Sequence, residues 1–214
     1  HRYRFKRRST ASETGRSVEI IKIYTPLHYN MLHINFSPFP ELITERLVLR
    51  QATKGDAEDI FFLRSNKELM KYIDKPLATS VDEAYDFIER INGLINTNEG
   101  INWCITLKDN TSVIGNIGFW NMQKEHFRCE VGYTLHPGFH QKGIMHEALS
   151  AALKYCFEVM HFHSVEANVN PENQASIKLL EKNNFVREAY YRENYFYDGK
   201  FLDSAIYSLL TPVK

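Results

Sequence analysis

Cysteine is scarce in this chain: Cys104, Cys129 and Cys156 lie far apart with no CxxC pair, which argues against both a disulfide framework and a zinc site. Reduced, mostly core cysteines are expected. No apolar run approaches the roughly 20 residues that a membrane-spanning helix needs, and the first residues carry no apolar block of a secretory leader. The expectation is a cytoplasmic protein without a membrane partner. Charge of one sign is also missing, with 26 basic and 26 acidic side chains. Residues 1–30 hold seven basic and two acidic groups, which leaves 19 basic and 24 acidic over the remaining 184. Such a body lacks the clustered Lys and Arg that phosphate backbones require, so no nucleic-acid partner is expected. Nine histidines, among them His136, His140, His146, His161 and His163, show no HExxH or other chelating spacing, and no metal is expected. There is no internal repeat and no low-complexity tract.

At 214 residues the chain is long enough for one domain with a sizeable core. Residues 1–30 read as a basic extension containing one short alternating segment, 17–24, and as lying outside the functional domain. Met31 opens the expected single domain, 31–214. From Arg46 the reading is regular. "RLVLRQA" alternates as a strand, and a helix follows from a Thr53 cap with Ala57, Ile60, Phe61 and Leu63 on one face. A second helix spans about Ser80 to Asn96, with Asp82 and Glu83 in its first turn. Three strands, 101–107, 112–120 and 127–135, then form an antiparallel meander. A helix from about Lys142 to Met160, a strand 164–169, a helix from about Asn173 to Asn183 and a hairpin turning at "YDGK" complete the order βααβββαβαββ. This is an α/β chain with a mixed, mostly antiparallel sheet of about seven strands, flanking helices and one parallel crossover.

The stretch "HPGFHQKGIMHEAL", 136–149, ends a strand, turns and opens a helix. A glycine at such a junction lets backbone N–H groups converge on an anion at the helix N-terminus. Glu130 in "CEVGY" interrupts a strand of Val131, Tyr133 and Leu135 and is a candidate proton acceptor, although a strand glutamate is commonly a wet-face residue. Asn170 and Asn173 stand where polar side chains cap backbone groups.

Three ordered segments, "ELITERLVLRQAT", "EVGYTLHPGFHQKGIMHEAL" and "NVNPENQASIKLLEKNNF", resemble the GNAT superfamily of acetyl-CoA-dependent N-acetyltransferases, closest to its RimJ/RimL branch, from about Glu41 to Leu210. The resemblance implies the GNAT fold, acetyl-CoA as cosubstrate, and a primary amine acceptor attacked directly. The acceptor it implies is a protein N-terminus of the ribosomal-protein type or a small amine such as a polyamine. It places the CoA pyrophosphate on the turn His140, Gln141, Lys142, Gly143, Ile144 and Met145. Against the family's Q/R-x-x-G-x-G/A pattern the central glycine is kept, while His140 and Met145 depart from it.

The resemblance further implies that pantetheine lies between Val131, Gly132, Tyr133, Thr134 and Leu135 on one strand and Val165–Val169 on the next. Asn170, Asn173 and Ser176 then lie beside the arm and its thiol. Glu130 becomes the candidate base and Ser176 the candidate donor to the leaving sulfur. Leu180 stands where many family members carry a tyrosine acid. Tyr195 stands where some RimL-like enzymes carry a glutamate, which leaves Glu130, Glu193 or ordered water as bases. Of Tyr190, Tyr191, Tyr195 and Tyr197, strand alternation allows about half to face an acceptor pocket. The departures keep open a catalytically degenerate CoA-binding sensor or scaffold, and the chain is expected to be a monomer or homodimer.

Overall fold

Ile101–Leu107 (β3 below) shows how period-2 patterning meets a sheet covered on both sides. Trp103 and Ile105 point to one face and Cys104 to the other, and all three are buried. The computed structural model describes residues 32–212; the basic extension and its alternating segment 17–24 lie outside them. The described strands are β1 (Leu42–Ile43), β2 (Leu47–Arg50), β3, β4 (Asn110–Gln123), β5 (Arg128–Leu135), β6 (Ser164–Val169), β7 (Val186–Tyr197) and β8 (Lys200–Leu210). The helices are α1 (Ala57–Ser65), α2 (Lys67–Met70), α3 (Val81–Asn96), α4 (Ile144–Glu158) and α5 (Gln174–Lys182).

The sheet runs β1-β2-β3-β4-β5-β6-β8-β7. The meander is antiparallel, with Trp103 opposite Ile117 and Ile117 opposite Tyr133. Among the described strands only β5 and β6 pair in parallel, and α4 makes the crossover. One face packs against α4 through Ala148, Leu149, Ala152 and Cys156, set against Trp103, Ile117, Val131 and Val165. The other packs against α1 and α3 through Ile60, Leu63, Ile88 and Ile91, with Cys104 and Val113. Each such aliphatic side chain contributes about 1.5–3 kcal/mol on burial. All three cysteines are buried free thiols, as the sequence implied.

The architecture is the expected one with two additions. The two-residue β1 is too short to show any period, so eight strands stand where about seven were expected. The four-residue α2 is set by Asn66, whose side chain accepts from the N–H groups of Glu68 (3.0 Å) and Leu69 (3.2 Å). The Thr53 junction opens as a 3-10 turn, Lys54–Asp56, before α1. Asp56 there accepts from the Thr53 amide at 2.7 Å and pairs with Arg50 at 2.7 Å. The final hairpin closes on Asp198 and Gly199, both at positive φ, the backbone a two-residue turn of this hand requires.

Candidate active site

Strands β5 and β6 pair only from Arg128 to Glu130 against Ser164 to Glu166. Beyond that point they diverge, while each keeps its outer neighbour, β4 or β8. The gap opens into a cleft of about 860 Å³ bounded by α1, α3, the sheet and β7. Glu130 sits where pairing ends. Burial raises its pKa above the ordinary carboxylate value, against hydrogen bonds from the Asn121 and Trp120 side chains and the charge of Arg128. A carboxylate held this way is a better proton acceptor than an exposed one. Arg128 itself is paired with Glu166.

Trp120 faces Glu130 across the β4–β5 ladder, and its indole lies over Gly132, where a Cβ would stand 2.0 Å from the ring. Gly132 is therefore fixed by close approach. The ladder shifts register between Trp120 and Gln123, with Asn121 at positive φ, a bulge of the kind that re-aims side chains.

Across the gap, the Tyr133 hydroxyl on β5 meets Ser176 Oγ on α5 at 2.8 Å. Burial pushes the phenol up to about 12, a shift the hydrogen bond to Ser176 opposes. Tyr133 was expected only as part of the strand beside the pantetheine arm; that its hydroxyl reaches Ser176 depends on where α5 docks. Val131, Gly132, Thr134, Asn170 and Asn173 line the same cleft. Thr134 Oγ1 donates to Asn116 Oδ1 at 2.6 Å. Leu135 is buried in the core and does not line the cleft. The two asparagines do cap backbone: Asn173 Oδ1 accepts from the Ser176 amide at 3.1 Å, and Asn170 Oδ1 from that of Glu172 at 2.9 Å.

The turn His140–Met145 is a separate station at the head of α4. Gln141 and Gly143 adopt left-handed backbone, φ 58° and 73°. The first amides of α4 point out of the helix without intrahelical acceptors. Ile144 and Met145 bury their side chains, so only their backbone is available to a ligand. Arg46 ties the turn down, with Nη1 donating to the Lys142 carbonyl at 3.0 Å and Nε 2.6 Å from Glu147. His140 Nε2 lies 2.7 Å from the Leu135 carbonyl, and Lys142 Nζ donates to the Gly138 carbonyl at 2.7 Å. Both side chains thus brace the turn. His136 accepts from the Gly138 amide and stacks on Phe62 of α1 at 4.7 Å.

Tyr195 lines the cleft and donates its hydroxyl to Asp74, which lines it too. Tyr197 also lines the cleft, whereas Tyr190 donates to Asp203 and Tyr191 lies on a different groove. Two of the four tyrosines face inward, about half as expected. The split is set by the register shift between Tyr191 and Tyr195, since simple alternation would put Tyr191 on the side of Tyr195 and Tyr197. Glu193 is exposed, bonds Asp203 through its amide at 2.7 Å and does not line the cleft. Three lining residues, Asp74, Arg64 and Arg90, carried no signal in the sequence, because only the docking of α1, α3 and the segment between α2 and α3 brings them there.

The GNAT acetyltransferase domain family matches residues 46–186. An uncharacterized N-acetyltransferase of Bacillus subtilis, YoaA, is 34% identical over 174 residues, 81% of this chain and 98% of its own. The ribosomal protein uS5-alanine N-acetyltransferase of Escherichia coli is 28% identical over 82% of this chain and 93% of its own. A GNAT-family acetyltransferase structure from Bacillus anthracis superposes with a TM-score of 0.72 at 27% identity, covering 80% of this chain and 98% of that one. With the family covering most of the described domain and the strands diverging at Glu130, this chain belongs to the GNAT family of N-acetyltransferases.

Proposed function

We propose that the domain 31–214 transfers the acetyl group of acetyl-CoA to the α-amine of a polypeptide N-terminus by direct attack. The observation that carries this reading is the divergence of β5 and β6 after Glu130. It leaves a carboxylate on the sheet face of the cleft and a hydroxyl pair, Tyr133–Ser176, across the gap. GNAT acetyltransferases use acetyl-CoA, and two features here fit it. One is the left-handed turn at Gln141 and Gly143, with free amides at the head of α4. The other is the unpaired run of β5 past Glu130. When bound, acetyl-CoA supplies the acyl group and a thiolate leaving group.

The chain's own residues handle the protons. An amine reaches the cleft largely as ammonium and must lose a proton before it attacks; Glu130 accepts it, directly or through one water. Backbone N–H groups near Gly132 to Thr134 orient the thioester carbonyl. Ser176 holds a hydroxyl proton for the departing sulfur, with Tyr133 as its hydrogen-bond partner. The relative acting on uS5 favours a protein N-terminus as acceptor.

Kinetics of Glu130→Gln with acetyl-CoA and an alanine-initiated peptide test the assignment. The expected result is a kcat lower by about 10²-fold or more, with the Kd for acetyl-CoA unchanged within twofold. Equal turnover would remove Glu130 from the mechanism. Acetyl-CoA binding by the wild-type chain without transfer to any amine would favour the sensor or scaffold instead.

A further inference from the structure

The helical wall of the cleft, formed by α1 and α3, carries two guanidinium groups that no acid pairs with among the described residues. Arg64 on α1 lies 4.3 Å from the centroid of the Phe87 ring, and Arg90 on α3 lies 5.3 Å from the same centroid. All three residues line the cleft that Glu130 also lines. Among the described residues, neither guanidinium makes an ion pair or a hydrogen bond, and Arg64 Nε is buried without a partner. The nearby acids are otherwise engaged. Glu83 acts on Arg64 only at a distance and accepts from the Thr79 amide and hydroxyl at 3.2 and 2.5 Å. Asp74 accepts from Tyr195.

A buried N–H of a charged group without an acceptor is costly, and two like charges over one ring repel each other. Burial, together with the charge of Arg90, holds the Arg64 pKa below its usual value. One ligand feature relieves both costs, an anion within reach of the guanidiniums, since planar N–H forks suit a carboxylate. Lys75 adds a third positive group to the lining. The same arrangement repels polyamines, which bring several positive charges.

We infer that Arg64 and Arg90 form a carboxylate subsite of the acceptor cleft, and that the acceptor is a peptide N-terminus with an acidic side chain close behind its amine. This rests on the acetyl-transfer reading above. The amine is set at Glu130 and the acid at the arginine pair, so the two charges of the acceptor meet opposite charges in one cleft.

Calorimetric titration of the full chain, saturated with CoA, tests the inference. The two probes are C-terminally amidated peptides, Ala-Asp-Gly-Ser and Ala-Asn-Gly-Ser. The wild type is expected to bind the Asp peptide about tenfold more tightly, the scale of one charge-assisted contact, with the preference shrinking at high salt. Arg64→Gln with Arg90→Gln is expected to bring the ratio to about one. Arg90→Gln alone, at an exposed helix position, is expected to reduce it, and keeps the test valid where loss of Arg64 impairs folding. Equal affinity for both peptides, or a preference that survives the double substitution, would overturn the subsite. A preference for alanine over alaninamide, with none between the peptides, would overturn the peptide assignment. Transfer assays on the same peptides separate the two readings. Discrimination without acetylation sinks the transferase reading and leaves the subsite, whereas equal acetylation of both peptides does the reverse.

Discussion

In the proposed mechanism Glu130 and the Tyr133–Ser176 pair divide the proton chemistry between two sides of one gap, and Glu130 gives it a pH signature. Glu130 accepts a proton only as carboxylate. Because burial raises its pKa, activity falls on the acid side at a pH above the ordinary carboxylate value of 4.5. The acid limb of kcat/KM is therefore expected to lie above that value and to vanish in the residual activity of Glu130→Gln; a limb unchanged by the substitution would belong to another group. Ser176→Ala is expected to lower kcat by about 10²-fold, and Tyr133→Phe, which removes only a partner of Ser176, by about tenfold. With Tyr133 proposed as a positioning residue for Ser176, its effect is expected in kcat with little change in KM for the amine. An effect confined to KM would reassign it to binding. The place of Glu130 at the cleft was legible because a charged residue broke an apolar strand inside a family-like segment. The Tyr133 hydroxyl was not, because its partner comes from a helix 43 residues later.

At the scale of elements, the long strands and helices followed the hydrophobic period closely. Ile101–Leu107 and Ser164–Val169 fall on the expected residues, and α3 starts one residue after its expected Ser80 cap. Pieces shorter than one period, β1 and α2, could not be read that way. The turn before α4 is legible in its glycine, yet the bracing of His140 on Leu135 and of Arg46 on Lys142 and Glu147 exists only in three dimensions. Gly143 carries the sharpest expectation. At φ 73° an L side chain costs about 1–2 kcal/mol, although the position is not crowded: a Cβ there would stand 3.5 Å from Arg46 Nη2. Gly143→Ala is therefore expected to loosen acetyl-CoA about tenfold or more, measured calorimetrically, through the backbone and not through a clash. Unchanged affinity would move the pyrophosphate site elsewhere.

Across the whole molecule, one polar tie joins three parts of the fold. Arg50 on β2 pairs with Asp56 before α1 and donates to the Thr111 carbonyl on β4 at 2.9 Å. Asp56 is 6% exposed. Burial alone would raise its pKa, but hydrogen bonds from Arg50 and Thr53 outweigh this and hold it below the usual carboxylate value. A depressed carboxylate contributes stability that is present above its unfolded pKa and is lost as pH falls through the folded one. Asp56→Ala, which leaves the half-buried Arg50 without its carboxylate partner, is expected to cost about 3 kcal/mol by denaturant unfolding at neutral pH. The mutant's deficit is expected to shrink in acid, where the wild-type tie is itself protonated. A deficit independent of pH would mean that packing, and not charge, sets the loss. The tie was hidden in the sequence because a Thr53 cap reads as a helix start alone, whereas the Arg50 side chain folds back onto Asp56 and the Thr111 carbonyl meets it from 61 residues away.

No helix among the described residues is long and apolar enough to cross a membrane, and the large features of the fold that bear on function are the cleft and the α4 turn. The most direct measurement is a thermal-shift titration of the wild-type chain with acetyl-CoA, using dephospho-CoA and ATP as comparators. A ligand bound only by the folded state adds about 2.7 kcal/mol at 100 times its Kd. A saturable rise in midpoint with acetyl-CoA is expected. An unchanged midpoint at millimolar acetyl-CoA would contradict the transferase reading, because neither the α4 turn nor the β5–β6 gap would then hold the acetyl donor.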